Sequence, residues 1–206
     1  MPMTKKFKIL AVSDIEGDSR LVKKLAERAN KENVDLVVLC GDITGHVETK
    51  DLIKPFRDRK KHVLIIPGNH DAFADIDVIA AQYHIKNLHG YAAIYEGVGF
   101  FGAGGATNLP FFPGSITENE ILDTLKKAHR SIKNVRKKVM VTHMHPEGSI
   151  SEWSGIPGSI SIKKAIKEFK PDILIHGHIH EASGFEQKIG KTRVLNVGRE
   201  GMIIEI

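Results

Sequence analysis

The sequence predicts an α/β sandwich in which two β-sheets pack face to face and helices cover the outside. Three observations predict it. The first 71 residues alternate short, β-rich apolar runs with helical patterns, the signature of a largely parallel sheet. Those runs are apolar throughout rather than alternating, so they are buried on both faces. The last third carries alternating runs separated by turn residues, which suits a sheet packed on one side. With 206 residues, 41% of them hydrophobic, the chain is long enough for one well-buried domain over 1–206.

Each element has its own warrant. "KILAVSD" (8–14) is the first strand. "SRLVKKLAERANK" (19–31) is a helix with Leu21, Val22, Leu25 and Ala29 on one face, capped by Asp18 or Ser19. "DLVVLCGD" (35–42) and "HVLIIPGNHD" (62–71) are the next strands. A polar helical stretch over roughly 47–59 joins them, interrupted by Pro55. Residues 91–105 read as a hairpin, with Gly97 and Gly99 marking the turn. Residues 117–133 read as a helix, with Thr117 and Glu120 spaced as a capping box. "KKVMVTHMH" (137–145) and "DILIHGHIH" (172–180) are strands ending in histidines, separated by a short helix over 161–169. A hairpin turns at Gly190-Lys191 within 184–198, and 202–206 closes the chain as a strand. Two loops rich in Gly, Pro and Ser remain, 102–118 and 144–159, and loops of that length in a compact domain tend to be functional.

Composition narrows the setting. No apolar stretch approaches the ~20 residues of a membrane-spanning helix, and the run "ILAV" near the start is too short for a secretion signal. The single cysteine, Cys40, excludes an internal disulfide and suits a cytoplasmic location. The net charge of +5 favours anionic ligands such as phosphates. A solvated lysine-rich surface accounts for the charge better than a nucleic-acid stripe. The sequence shows no repeat, no low-complexity tract and no signal for oligomeric state.

The chemistry collects at strand ends. Asp14 with Glu16, Asp42, Asn69 with His70, His143, and His178 with His180 all fall at the carboxyl ends of expected strands. In open α/β sheets that edge is where ligands bind. If the chain is extended at 14–16 and at 178–180, both members of each pair point the same way. Carboxylates crowded in this manner need a positive charge between them. Singly, each motif has an ordinary explanation: a "GD" turn, a tight "GNHD" loop, surface histidines in "GHIH", a core histidine at 143. Together and in this order they are hard to explain by structure alone.

The set Asp14-x-Glu16, Gly41-Asp42, Gly68-Asn69-His70-Asp71, His143 and Gly177-His178-x-His180 resembles the calcineurin-like metallophosphoesterase superfamily, over residues 14–180. The resemblance implies a four-layer α/β/β/α sandwich of two mixed sheets, with two divalent metals at the strand C-terminal ends. It implies that Asp14, Glu16, Asp42 and His180 hold the first metal and that Asp42, Asn69, His143 and His178 hold the second, Asp42 bridging. It implies hydrolysis of phosphate mono- or diesters through attack of a hydroxide held by the metal pair, with no covalent enzyme intermediate and with His70 as general acid. Asp71 would then orient the His70 ring.

Glu16 departs from the family pattern, which has histidine there. Two divalent ions bring four positive charges; Asp14, Glu16, Asp42 and one hydroxide bring four negative ones, so the centre is neutral where histidine would leave +1. Two expectations follow: a preference for Mn²⁺ or Fe²⁺, with Zn²⁺ or Ni²⁺ as alternatives, and a raised pH optimum. Against this stands Glu16 as a solvated loop residue. His145 could touch substrate or compete with His143. His176 reads as a satisfied core residue, His46, His62, His84, His89 and His129 as surface groups, and Cys40 as a small core hydrophobe. Trp153 reads as partly buried, and "GAGG" (102–105) as a close-packed turn. The leading function is therefore a phosphoesterase acting on a small phosphate ester. The alternatives are a non-catalytic interaction module on the same fold, and a nuclease of the same superfamily.

Overall fold

The structure, a computed structural model, describes residues 6–45 and 51–206. Along the chain run β1 (Lys8–Val12), α1 (Ser19–Lys31), β2 (Leu36–Cys40), α2 (Lys54–Asp58), β3 (His62–Ile66), α3 (Phe73–Tyr83), β4 (Lys86–Asn87), β5 (Ala92–Tyr95) and β6 (Val98–Ala103). They are followed by α4 (Glu118–His129), β7 (Lys137–Thr142), α5 (Ile160–Phe169), β8 (Ile173–His176), β9 (Glu186–Ile189), β10 (Thr192–Asn196) and β11 (Met202–Glu205). Short 3-10 turns span Ile150–Ser154 and His180–Ala182.

The strands form two mixed sheets. One has the order β11-β1-β2-β3-β4, parallel except for β11. The other has the order β5-β6-β7-β8-β10-β9, parallel except for its two edge strands. Strand parity sorts the side chains into layers. Ile9, Ala11, Leu36, Val38, Cys40, Leu64 and Ile66 face Phe100, Val139, Val141, Ile173 and Ile175 between the sheets. Their neighbours Leu10, Val12, Val37, Leu39, Val63 and Ile65 meet Val22 and Leu25 of α1, Phe56 of α2 and Ile76 of α3. On the far side, Phe101, Met140 and Leu174 meet Ile121 and Leu125 of α4 and Ile162 and Ile166 of α5. These three buried layers of side chains make the α/β/β/α sandwich.

Caps follow the sequence expectation. Asp18 accepts the N–H groups of Arg20 and Leu21 to start α1. Thr117 and Glu120 form the capping box of α4. The later hairpin turns at Gly190-Lys191 as expected, whereas the earlier one turns at Glu96-Gly97, with Gly99 already inside β6. The helix expected over 47–59 is the short α2, with Pro55 in its first turn, and 47–50 lie outside the described residues. Helix α3 was not expected from the sequence. It buries only Ile76, Ile79 and Ala80 and exposes Val78, so its apolar spacing is weak. Cys40 is fully buried between the sheets, as expected. No helix among the described residues is long and apolar enough to cross a membrane.

Candidate metal centre

Parallel strands carry their following loops to one edge. The loops after β1, β2, β3, β7 and β8 therefore bring Asp14, Asp42, Asn69 with His70, His143, and His178 with His180 to the same place. Strands stop earlier than the sequence suggests, and the site is built on loops. Asp14, Glu16, Asp42 and His178 have φ of 58°, 50°, 51° and 70°. The extended-chain argument for the pairs at 14–16 and 178–180 therefore fails. Left-handed backbone is costly for residues other than glycine, and it concentrates where a site dictates side-chain direction.

The loops lock to one another through the backbone. Asp14 N–H donates to Gly41 O (3.0 Å), and Glu16 N–H to Asp42 O (2.9 Å). Asp71 does not orient His70, contrary to expectation. Its buried carboxylate accepts the N–H groups of Ile43, Thr44 and Gly68 and the Thr44 hydroxyl, tying the Asp42 loop to the Asn69 loop. Gly68 lies directly against Asp42, where a Cβ has no room.

The buried half of the site holds Asp42, Asn69, His143 and His178. His143 Nε2 lies 2.9 Å from Asn69 Oδ1 and 3.3 Å from Asp42 Oδ2. Its Nδ1 donates to Cys40 O at 2.9 Å, which leaves Nε2 to face the site. The His178 ring is 5.0 Å from that of His143. Asp42 Oδ1 accepts the His70 N–H at 2.8 Å. The other half holds the buried Asp14 with the more exposed Glu16 and His180. His180 Nε2 lies 3.6 Å from Asp14 Oδ1 and 3.9 Å from Glu16 Oε1. Donor atoms around one cation at about 2.1 Å lie about 3 Å apart, near the spacing found here.

Charge and burial reinforce the picture. Burial opposes ionisation of Asp42, but His143 and the His70 N–H outweigh it and hold the pKa down at about 2. Burial likewise opposes a charge on His143, but Asp42 outweighs it and lifts the pKa to about 9. Burial pushes His178 down to about 3, leaving the neutral imidazole that a metal requires. His180 is raised, chiefly by the Asp14 carboxylate beside it.

The residues fit a metal. Ligand atoms of Asp14, Asp42 and His143 all lie within 4.8 Å of one another, and all three residues are buried. Asp14 Oδ1 is buried with no hydrogen-bond partner, a costly state for a carboxylate that a cation relieves. His70 stands beside the cluster, its Nε2 4.0 Å from Asp42 Oδ2.

Sequence reasoning missed Arg199. Its guanidinium is 3.1 Å from Asp18 Oδ2 and 3.8 Å from Glu16 Oε2, so a positive charge sits beside the departure from the family pattern. No motif signals it, because it follows the last parallel strand in an unremarked "GRE". His145 is fully buried with Nε2 3.2 Å from Ile156 O, its ring 6.3 Å from that of His178. His176 is a buried residue whose Nδ1 meets Gly177 O, as expected. His62 and His84 are exposed, and His46 lies outside the described residues. His89 and His129 are not surface groups. His89 packs on Phe73 and its Nδ1 accepts the Gly104 N–H, while His129 stacks on Phe169. Trp153 is 61% exposed rather than partly buried. The "GAGG" segment is close-packed, Gly104 lying against Pro67.

Among solved structures, TT1561 of Thermus thermophilus superposes with a TM-score of 0.79 at 19% identity, over 95% of this chain and 91% of that one. A dimetal phosphatase from Danio rerio gives 0.67 at 13% identity, over 94% and 88%. An archaeal phosphodiesterase gives 0.56 at 18% identity, over 97% and 100%. Each shares the fold. A search of the curated proteins finds no match in sequence. The family model of the calcineurin-like phosphoesterases matches residues 7–182, which takes in every candidate ligand from Asp14 to His180, and by that match the chain belongs to this family.

Proposed function

We propose that the protein hydrolyses phosphate mono- or diesters with the help of two divalent cations, and that His70 is its general acid. The observation that carries this reading is the buried meeting of Asp14, Asp42 and His143, with one Asp14 oxygen left without a hydrogen bond. Two cations so held would polarise the phosphoryl oxygens and lower the pKa of a water enough for attack on phosphorus at neutral pH. Asp42 would supply one oxygen to each cation. Asn69 adds a neutral carbonyl oxygen where another carboxylate would cancel more of the positive charge. Asp14, Glu16 and His180 would complete the first position, and His143 and His178 the second. His70, a third exposed, is placed to give a proton to the departing alkoxide. The oxygen-rich ligand set favours Mn²⁺ or Fe²⁺. A dimetal phosphatase and a phosphodiesterase among the fold's solved examples accord with either ester class.

The test is hydrolysis of p-nitrophenyl phosphate and bis(p-nitrophenyl) phosphate by chelator-treated, dialysed protein. Activity should return with Mn²⁺ and vanish again with chelator. No hydrolysis with any divalent cation would overturn the reading and leave a non-catalytic module on this fold.

A further inference from the structure

We infer that the alcohol side of the substrate carries an apolar or aromatic body, seated against Phe112 beside His70, with the exposed Phe111 next to it in the same loop. This inference rests on the assignment of His70 as the general acid. A general acid must lie within hydrogen-bond reach of the leaving oxygen. Whatever walls His70 therefore walls the leaving group.

That wall is aromatic. The Phe112 ring meets the His70 ring edge-on, with centroids 4.9 Å apart and planes at 87°. Phe111 next to it is 97% exposed, the most exposed large hydrophobic side chain among the described residues. A lone exposed hydrophobe is ordinary. Here, however, its loop is fastened to the loop that presents the acid. Gly114 N–H donates to Asn69 O at 3.0 Å, and Gly114 lies so close to the Gly68 carbonyl that a side chain has no room. The segment is "LPFFPG", in which Pro110 and Pro113 restrict the backbone on either side of the two rings. Turn hydrogen bonds from Phe112 N–H to Leu109 O and from Ser115 N–H to Phe112 O hold it further. The rings are thus presented with little conformational freedom left to lose on binding. No charged residue lies between Thr107 and Thr117, so this stretch offers a polyhydroxylated or charged alcohol little to bind.

The test is a series of ethyl, butyl and 2-phenylethyl phosphates, as monoesters and as symmetrical diesters, with Mn²⁺-loaded protein. These alcohols are all simple alkanols, so the series varies apolar body more than leaving-group acidity. In the wild type, kcat/KM should rise from ethyl to 2-phenylethyl by roughly tenfold or more, as burial of apolar area predicts. F111S removes an exposed side chain and no packing. It should flatten the series, lowering kcat/KM for the 2-phenylethyl ester far more than for the ethyl ester. F112S should flatten it further, and F112L should restore most of the slope. A flat series in an active wild type overturns this inference alone. So does an equal loss on ethyl and 2-phenylethyl esters in F111S and F112S. A wild type that hydrolyses the p-nitrophenyl esters but no member of the series overturns this inference alone, and one inactive on the p-nitrophenyl esters as well overturns the phosphoesterase reading together with it.

Discussion

Replacing His70 by asparagine separates proton donation from metal binding, because the structure gives the two tasks to different atoms. The backbone N–H of His70, not its ring, holds Asp42 Oδ1, at 2.8 Å. The ring Nε2 stands 4.0 Å from Asp42 Oδ2, and the side chain is 34% exposed. H70N keeps the backbone bond and removes only the titratable group, so metal content should not change. Losing a general acid costs about 10²–10⁴ in rate, equivalent to about 3–5 kcal/mol of barrier. That loss should appear in full with ethyl phosphate, whose alkoxide cannot leave unprotonated. It should shrink to about tenfold or less with p-nitrophenyl phosphate, whose anion leaves without a proton. The assay is kcat on both esters from one metal-loaded preparation, with bound metal counted by elemental analysis. Equal losses on the two esters, or loss of metal from the variant, would refute the assignment.

Other perturbations probe the charges. E16H should shift the metal preference from Mn²⁺ toward Zn²⁺ or Ni²⁺ and lower the pH optimum. R199M, which removes the guanidinium 3.8 Å from Glu16, should raise the optimum; unchanged pH profiles in both would dismiss the charge argument. In the metal-free protein His143 keeps its proton up to about pH 9, and binding must expel it. Calorimetric Mn²⁺ affinity should therefore rise by about tenfold per pH unit between pH 7 and 9 and level off above; a pH-independent affinity contradicts this. His89 bears on stability: burial holds its folded pKa down at about 4, against 6.5 unfolded. Between those values the unfolded chain binds the extra proton, so stability falls as pH drops, by up to about 3 kcal/mol. Denaturant melts of H89Q should show a shallower loss between pH 6.5 and 4, and an identical slope would refute it.

The layered fold and the edge that carries the chemistry were legible in the sequence because both follow from strand hydrophobicity and chain direction. Runs such as "LVVLC" (36–40) are apolar at every position, which only burial on two faces explains. Local geometry was less accessible. The strands end before the ligand residues, and left-handed backbone at Asp14, Glu16, Asp42 and His178 aims side chains that an extended chain would have pointed elsewhere. Asp71 looked like a partner for its neighbour His70, yet its partners lie 27 and 28 residues away at Thr44 and Ile43 and in its own loop at Gly68. The charge count at Glu16 omitted Arg199, which is remote in sequence and reaches the site only because β10 runs beside β8. Helix α3 escaped notice because one exposed valine and three buried residues do not make a strong periodic stripe.

The central claim is tested most directly by anomalous diffraction from crystals grown with Mn²⁺. The account predicts two peaks about 3.5–4 Å apart, one within ligand distance of Asp14, Glu16, Asp42 and His180 and the other of Asp42, Asn69, His143 and His178. No peak beside Asp42, or a single one shared by Asp14, Asp42 and His143, would contradict it.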